Sequence, residues 1–334
     1  MSSINHLADI VAGPDRPPTS GVDGDGGPPR APRLSRRSAY AVLFVMILLL
    51  GCNWPVMAIA LESFSPLWMS VFRLLSAAAT LFAVAALRRS VRVPPRADLP
   101  VMFSIALFRL GIATALVFIA LQFVPPGRSS ILVYTSALWA VPISAVFLKE
   151  HPPRIVRLGL GVGIVGIVLL FEPWRFDWSD EKVLMGHVLL LLSAIIVAFV
   201  TVHIQAHDWH ATPLDLFPWQ LAAAALITAV VALVTEGPPA VNWSLPVSLN
   251  ILYQGVFVSG IGTWGEITVS RSLPIVTMHV GLIGVPAVGL VSSVLVVGEI
   301  LTPAVVISLA LVALSASTSA ISEWRNAGPA DSPP

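Results

Sequence analysis

The feature that most constrains this chain is a succession of apolar blocks, each about 20 residues long, separated by short polar breaks rich in proline. A block of that length, at 1.5 Å rise per residue, spans the ~30 Å hydrocarbon core of a bilayer. Lipid offers no partner to a free backbone amide, so such blocks must fold as helices. Composition agrees: 56% of the 334 residues are hydrophobic and 11% are charged. A water-soluble globule usually carries about 25% charged residues. The fold class expected is all-α: a polytopic membrane protein of ten transmembrane helices in two inverted five-helix repeats.

The ten spans are placed at 39–60, 65–87, 99–122, 127–148, 153–171, 185–206, 213–234, 246–270, 275–297 and 302–322. Pro66, Pro126, Pro153, Pro213, Pro246 and Pro303 stand at or near predicted starts, where the missing N–H of proline costs least. Residues 1–37, with their many prolines and glycines, read as a disordered cytoplasmic tail, and 323–334 as a second tail. Between them lie a first repeat over 38–171 and a second over 185–322. The single cysteine, Cys52, allows no intramolecular disulfide.

Orientation follows from the basic residues. With the N-terminus in the cytoplasm, 14 of the 19 lysines and arginines fall in inner segments and 3 in outer loops. That asymmetry places both termini inside a cell (plasma or inner) membrane. Arg73 and Arg109 lie within spans.

The chain also resembles itself. Shifted by 149 residues, Phe108 meets Phe257, Gly111-Ile112 meets Gly260-Ile261, Pro125 meets Pro274 and Glu150 meets Glu299. Only 7 of the 43 pairs from 108 to 150 are identical, but they mark the same breaks and helix ends. With five helices per half, the second half enters the membrane inverted, a recurring plan of secondary transporters.

The stretch Gly51-Cys52-Asn53-Trp54-Pro55-Val56-Met57, followed by Ser65-Pro66-Leu67-Trp68 and Phe72-Arg73-Leu74, resembles the opening of EamA-type members of the drug/metabolite transporter superfamily. Leu148-Lys149-Glu150 and Val297-Gly298-Glu299 resemble that family's Gly-Glu helix ends. The resemblance covers about 39–322 and implies ten helices, cytoplasmic termini and export or exchange of metabolites. The chain departs from the family at Leu50, where tryptophan is frequent, at Ala58, where lysine is frequent, and at Lys149, which takes a glycine position.

Ionisable and aromatic residues within spans are the candidates for function. Arg73 can attract a carboxylate, which a guanidinium binds bidentately, or it can pair with helix-end carbonyls. Arg109 can line the path and is expected to have a partner. Glu266 and His279 fall at similar depth in adjacent helices. They can bind substrate, carry a coupling proton, or only hold two helices together. Asn53, Trp54, Tyr134, Trp139 and Trp264 can line a cavity or pack the bundle. Pro55 can free a carbonyl for substrate. Glu150 and Glu299 end their helices, as gates or as interface residues.

Other sequence signals carry less. Gly161-Val162-Gly163-Ile164-Val165-Gly166 spells a dinucleotide fingerprint, but no strand precedes it, and Gly159-x-x-x-Gly163 fits close helix packing instead. His207-Asp208-Trp209-His210 reads as a solvated loop rather than a metal site, since no further clustered ligand is in view. No P-loop, zincin or nucleophile-elbow sequence occurs, so no catalytic residue, cofactor, metal or nucleic-acid partner is expected. The partners expected are the lipid bilayer and a small-molecule substrate. The function expected is a secondary transporter, an efflux carrier or exchanger moving a small metabolite, amino-acid-like solute or drug by alternating access. A passive facilitator or channel is the alternative, followed by a membrane-embedded receptor or enzyme.

Overall fold

The computed structural model describes residues 35–87, 91–149, 152–172, 181–207, 209–211, 213–241, 243–262, 265, 268–269, 272–273 and 281–326. All regular structure among these residues is helical. The helices are α1 (Arg36–Ala60), α2 (Pro66–Leu87), α3 (Arg96–Ala120), α4 (Pro126–Phe147), α5 (Arg154–Phe171), α6 (Glu181–Gln205), α7 (Pro213–Thr235), α8 (Leu245–Ile261), α9 (Gly284–Val297) and α10 (Pro303–Asn326). Six of them, α1 to α4, α6 and α7, contain stretches long and apolar enough to cross a membrane, while α8, α9 and part of α10 are shorter apolar helices. The chain is thus a multi-pass helical membrane protein.

Starts and stops follow local chemistry. Proline opens α2, α4, α7 and α10, and the hydroxyl of Ser244 accepts from the Val247 amide at the start of α8. α1 begins at Arg36, three residues before the expected start, because the Ser35 hydroxyl accepts from the Ser38 amide. Residues 36 and 37, assigned from sequence to the disordered tail, are therefore helical. The rest of that expectation, on 1–34, lies outside the described residues, as does the tail after 326.

Large apolar side chains point outward on many faces, among them Phe44, Leu158, Leu226, Val234 and Leu295. Helices that are apolar all round suit lipid rather than water. Inside, one core gathers Trp54, Met57, Met69, Phe118, Ile131, Leu190 and Leu290 from six helices.

The helices pair in a pattern. α2 packs on α7 and α5 on α10; α1 packs on α9 and α4 on α6; α2 packs on α8 and α3 on α7. The α5–α10 contact explains the glycine run. A Cβ at Gly159 would lie 2.0 Å from the Thr318 hydroxyl, one at Gly163 would lie 1.9 Å from a Leu138 methyl, and Ser308 donates to the Gly166 carbonyl at 2.8 Å. Gly159 and Gly166 serve the α5–α10 packing, Gly163 meets Leu138 of α4 as well as Ser315 of α10, and a Cβ at Gly161 would meet nothing within 4 Å.

Three irregularities recur along the chain. Residues Ile105–Ala113 within α3 and Tyr253–Ile261 within α8 are wound as π-helix. α4 breaks at Thr135, and the turn at Ile283 precedes α9. Lys149 after α4 and Gly298 after α9 have left-handed backbones, with φ of 55° and 71°.

Carboxylates tie helix starts to distant connections. Glu236, just past α7, accepts from the Ser65 hydroxyl and the Leu67 and Trp68 amides at the start of α2. Glu299, just past α9, accepts from the Gly127 and Arg128 amides at the start of α4, at 2.7 and 3.1 Å. Asp98, at the start of α3, accepts from the His210 and Ala211 amides just ahead of α7. A carboxylate is favoured at a helix N-terminus, where unpaired amides and the helix dipole present positive charge.

Candidate substrate site between α1, α2 and α8

Arg73 lies seven residues into α2, about 10 Å along the helix from its start. The residue as a whole is half-buried. Nε donates to the Ser259 hydroxyl of α8 at 3.4 Å, and another nitrogen lies 3.6 Å from the Met57 sulfur of α1. Both contacts are long and weak. Among the described residues no carboxylate forms an ion pair with it.

Where α1 and α8 meet, amides and hydroxyls pair across and along the helices. Asn250 donates to the Val56 carbonyl at 3.1 Å, and Gln254 donates to Asn250 Oδ1 at 2.6 Å. The Tyr253 hydroxyl donates to the Leu49 carbonyl at 2.9 Å, and Ser259 donates to the Gln254 carbonyl at 2.9 Å. Two acceptor atoms are left over: Asn53 Oδ1 and Gln254 Oε1 are buried with no hydrogen-bond partner among the described residues. Leaving a buried polar atom unpaired costs about 1–3 kcal/mol, so such atoms mark places where a ligand or water completes the structure.

α8 reaches this position because Gly255 lets it approach α2 closely. A Cβ there would lie 1.7 Å from the Ser76 hydroxyl oxygen and 2.7 Å from its Cβ. The π-winding of α8 then carries Gln254 and Ser259 toward α1 and α2, and π segments recur at functional sites.

The other candidates divide. Trp54 is buried in the core, where its ring sits against Gly289. Tyr134 and Trp139 are half-buried against the same core, and the Trp139 indole nitrogen is buried without a hydrogen-bond partner among the described residues. Arg109 is half-buried in the π segment of α3, and the partner expected for it is absent among the described residues, where no carboxylate pairs with it. The carbonyl that Pro55 frees belongs to Gly51, four residues earlier, and it receives a 3.5 Å contact from the Ser292 hydroxyl of α9. A neighbouring helix answers it. Trp264, Glu266, His279 and Glu150 lie outside the described residues.

Glu299 acts at a helix end. Besides the α4 amides it stands near Arg128, whose guanidinium pairs with Glu172 at 3.0 Å. Burial pushes the Glu299 carboxyl above its usual range, against the two amides and the Arg128 charge.

One premise of the sequence reading of His207–His210, that no further ligand clusters there, does not hold. Further ligand atoms are present: the fold brings the Asp98 carboxylate to 3.0 Å from both the His207 and His210 rings. The signal was out of reach because Asp98 lies 109 residues upstream of His207. By contrast, Asn250 and Gln254, which sequence reasoning passed over, were detectable as a polar pair four residues apart in an apolar segment.

Comparison with known proteins gives the site a setting. Residues 37–172 match the EamA-like transporter family. The chain is similar to an uncharacterised transporter, YoaV, of Bacillus subtilis, at 25% identity over 64% of this chain and 73% of that protein. It is also similar to a probable amino-acid metabolite efflux pump of Salmonella typhimurium, at 25% identity over 80% of this chain and 90% of that protein. A solved crystal structure superposes with a TM-score of 0.61 over 88% of this chain and 100% of that one, at 20% identity, and so shares its fold. Over residues 37–172 the chain is thus similar to the EamA-like transporter family.

Proposed function

We propose that this protein is a secondary transporter, an efflux carrier or exchanger, that moves a small amino-acid-like solute by alternating access between two inverted five-helix halves. The observation that carries the substrate class is Arg73: a cation within a spanning helix, with only a hydroxyl and a thioether beside it among the described residues. An intramembrane charge without an acid partner is costly unless a ligand supplies the anion. A substrate carboxylate fits the guanidinium, and Asn53 Oδ1 and Gln254 Oε1 can accept from a substrate ammonium or hydroxyl.

Several features support the inverted architecture. Advanced by 148 or 149 residues, the π segment of α3 falls on that of α8, the break at Thr135 on the turn at Ile283, and Lys149 on Gly298. Advancing each helix by five places also maps α1–α9 packing onto α6–α4, and α2–α8 onto α7–α3. The carboxylate ties agree with alternating sidedness, since each joins connections expected on one membrane face. Glu266 and His279 remain the pair through which a proton would couple to transport. The named activity of the Salmonella relative, amino-acid metabolite efflux, is in the same chemical class.

The test is counterflow in proteoliposomes with a labelled panel of amino acids, organic anions and amines, with and without a pH gradient. Saturable flux of carboxylate-bearing solutes, lost in Arg73→Met and partly kept in Arg73→Lys, is the expected result. Equal flux of amines and neutral solutes in wild type and Arg73→Met would defeat the reading. Flux that neither saturates nor counterflows would identify a passive channel instead.

A further inference from the structure

A second cluster stands away from Arg73, where the connection between α6 and α7 meets the start of α3. Asp98 is wholly buried. Its Oδ1 lies 3.0 Å from His207 Nε2 and 3.0 Å from His210 Nδ1. These three ligand atoms all lie within 4.8 Å of one another. The geometry points to a site for a divalent d-block cation of the zinc type, held by Asp98, His207 and His210.

The spacing is that of ligands sharing one ion. Zinc takes imidazole nitrogen and carboxylate oxygen at about 2.0–2.2 Å, so two such ligands at tetrahedral to octahedral angles lie about 2.8–3.6 Å apart. The carboxylate oxygen stands 3.0 Å from each ring nitrogen, inside that range, and the two ring nitrogens lie within 4.8 Å of each other. The ligand set, two imidazoles and a carboxylate, suits zinc and its neighbours rather than calcium or magnesium.

The surroundings are those of a supported site. Asp98 Oδ2 accepts from the Ala211 amide at 3.0 Å, which fixes the carboxylate and leaves Oδ1 aimed at the two rings. The His207 ring stands edge-on to Trp209 at 5.2 Å, which restricts its rotation. Ligand-orienting contacts of this kind are typical of metal centres. His210 is exposed and borders a cavity of about 410 Å³ that Arg92, Trp209 and Asp215 also line. The cation therefore has an entry path and room for a water or a further ligand. Bound there, it ties the start of α3 to the α6–α7 connection.

The experiment uses the full chain in detergent, without a polyhistidine tag and stripped with a chelator. Cobalt(II) is titrated while visible d–d absorption is read, zinc is then added in competition, and thermal unfolding is followed with and without zinc. One cobalt per chain, displaced by zinc, with a higher unfolding temperature in zinc, is expected. Loss of an orienting partner alone costs about 10–100-fold in metal affinity, so removal of a ligand in His207→Ala or His210→Ala is expected to weaken binding by at least about 100-fold. Asp98→Asn tests the carboxylate, and His210→Ala, altering an exposed ring, is the variant that leaves the fold intact. Absence of cobalt and zinc binding in the wild type overturns the proposal, as does binding of wild-type strength in both histidine variants.

Discussion

The close approach of α8 to α2 can be tested at one atom. In Gly255→Ala the new Cβ would lie 1.7 Å from Ser76 Oγ, 2.7 Å from Ser76 Cβ and 3.0 Å from the Ala77 nitrogen. The hydroxyl can rotate away, but the Cβ and the backbone nitrogen cannot. Ordinary contact between carbons begins near 3.5 Å, so α8 must retreat by about 1 Å. Overpacking of this size costs about 1–3 kcal/mol, and the better helix propensity of alanine returns at most about 1 kcal/mol. The expected net loss is therefore about 1–2 kcal/mol. Ser76→Gly removes the two nearest atoms, so in the double variant most of that loss should disappear, with a coupling of about 1 kcal/mol. Unfolding in detergent measures stability, and counterflow measures transport. Ser259 lies one turn beyond Gly255, and its 3.4 Å contact with Arg73 is already at the limit of a hydrogen bond. A retreat of α8 should therefore lower transport with stability in the single variant and restore both in the double. If Gly255→Ala is as stable as the wild type, or if the two substitutions simply add, the contact does not set the helix spacing.

Two further substitutions probe the helix ends. Lys149 holds a left-handed backbone with φ of 55°, and Lys149→Gly should raise stability by about 1 kcal/mol, the cost of that conformation for a residue with a Cβ. Thermal unfolding reads the gain, and a lower unfolding temperature would refute the strain argument. For Glu299, burial raises the folded pKa above the ordinary 4.5. The protonated form is thus favoured in the fold. Its contribution is complete below the unfolded pKa and is lost as pH rises through the folded one. Glu299→Gln stays neutral, so its unfolding temperature should vary less with pH in the window above about 4.5. Identical pH profiles for the two proteins would show that burial does not govern this carboxyl.

Much of the fold was legible because the bilayer constrains it so tightly. Apolar length and proline placement located most helix ends to within a few residues, as at Pro66–Leu87 and Pro213–Thr235. The local winding was not legible. Nothing in Ile105–Ala113 or Tyr253–Ile261 announces a π-helix, since that winding depends on what each turn meets across the bundle. The site was legible in part. Arg73 and Asn53 stand out as polar residues in apolar segments: Arg73 meets Ser259 of α8, and Asn53 Oδ1 is buried with no hydrogen-bond partner among the described residues. Ser259 matters through its contact with Arg73, 186 residues away, which no linear spacing reveals. Asp98 carries no signal of its own in the sequence; only folding sets it against two histidines.

The proposed repeat shows where structural information is kept in a chain of this composition. An apolar alphabet in lipid can exchange leucine for valine or isoleucine at little cost, so residue identity decays quickly, to 7 matches in 43. What cannot drift freely is the backbone that sets one helix against the next. A π turn shifts every following side chain around the helix, and a left-handed residue fixes the exit direction of the chain. The second device survives even where the favoured residue is lost: Lys149 keeps the left-handed turn that Gly298 adopts without strain. On the proposed repeat, keeping that turn despite its cost means that the exit direction of the chain matters more than the residue that makes the turn. Glu299 gives the reason, because the turn delivers its carboxylate to the amides that open α4.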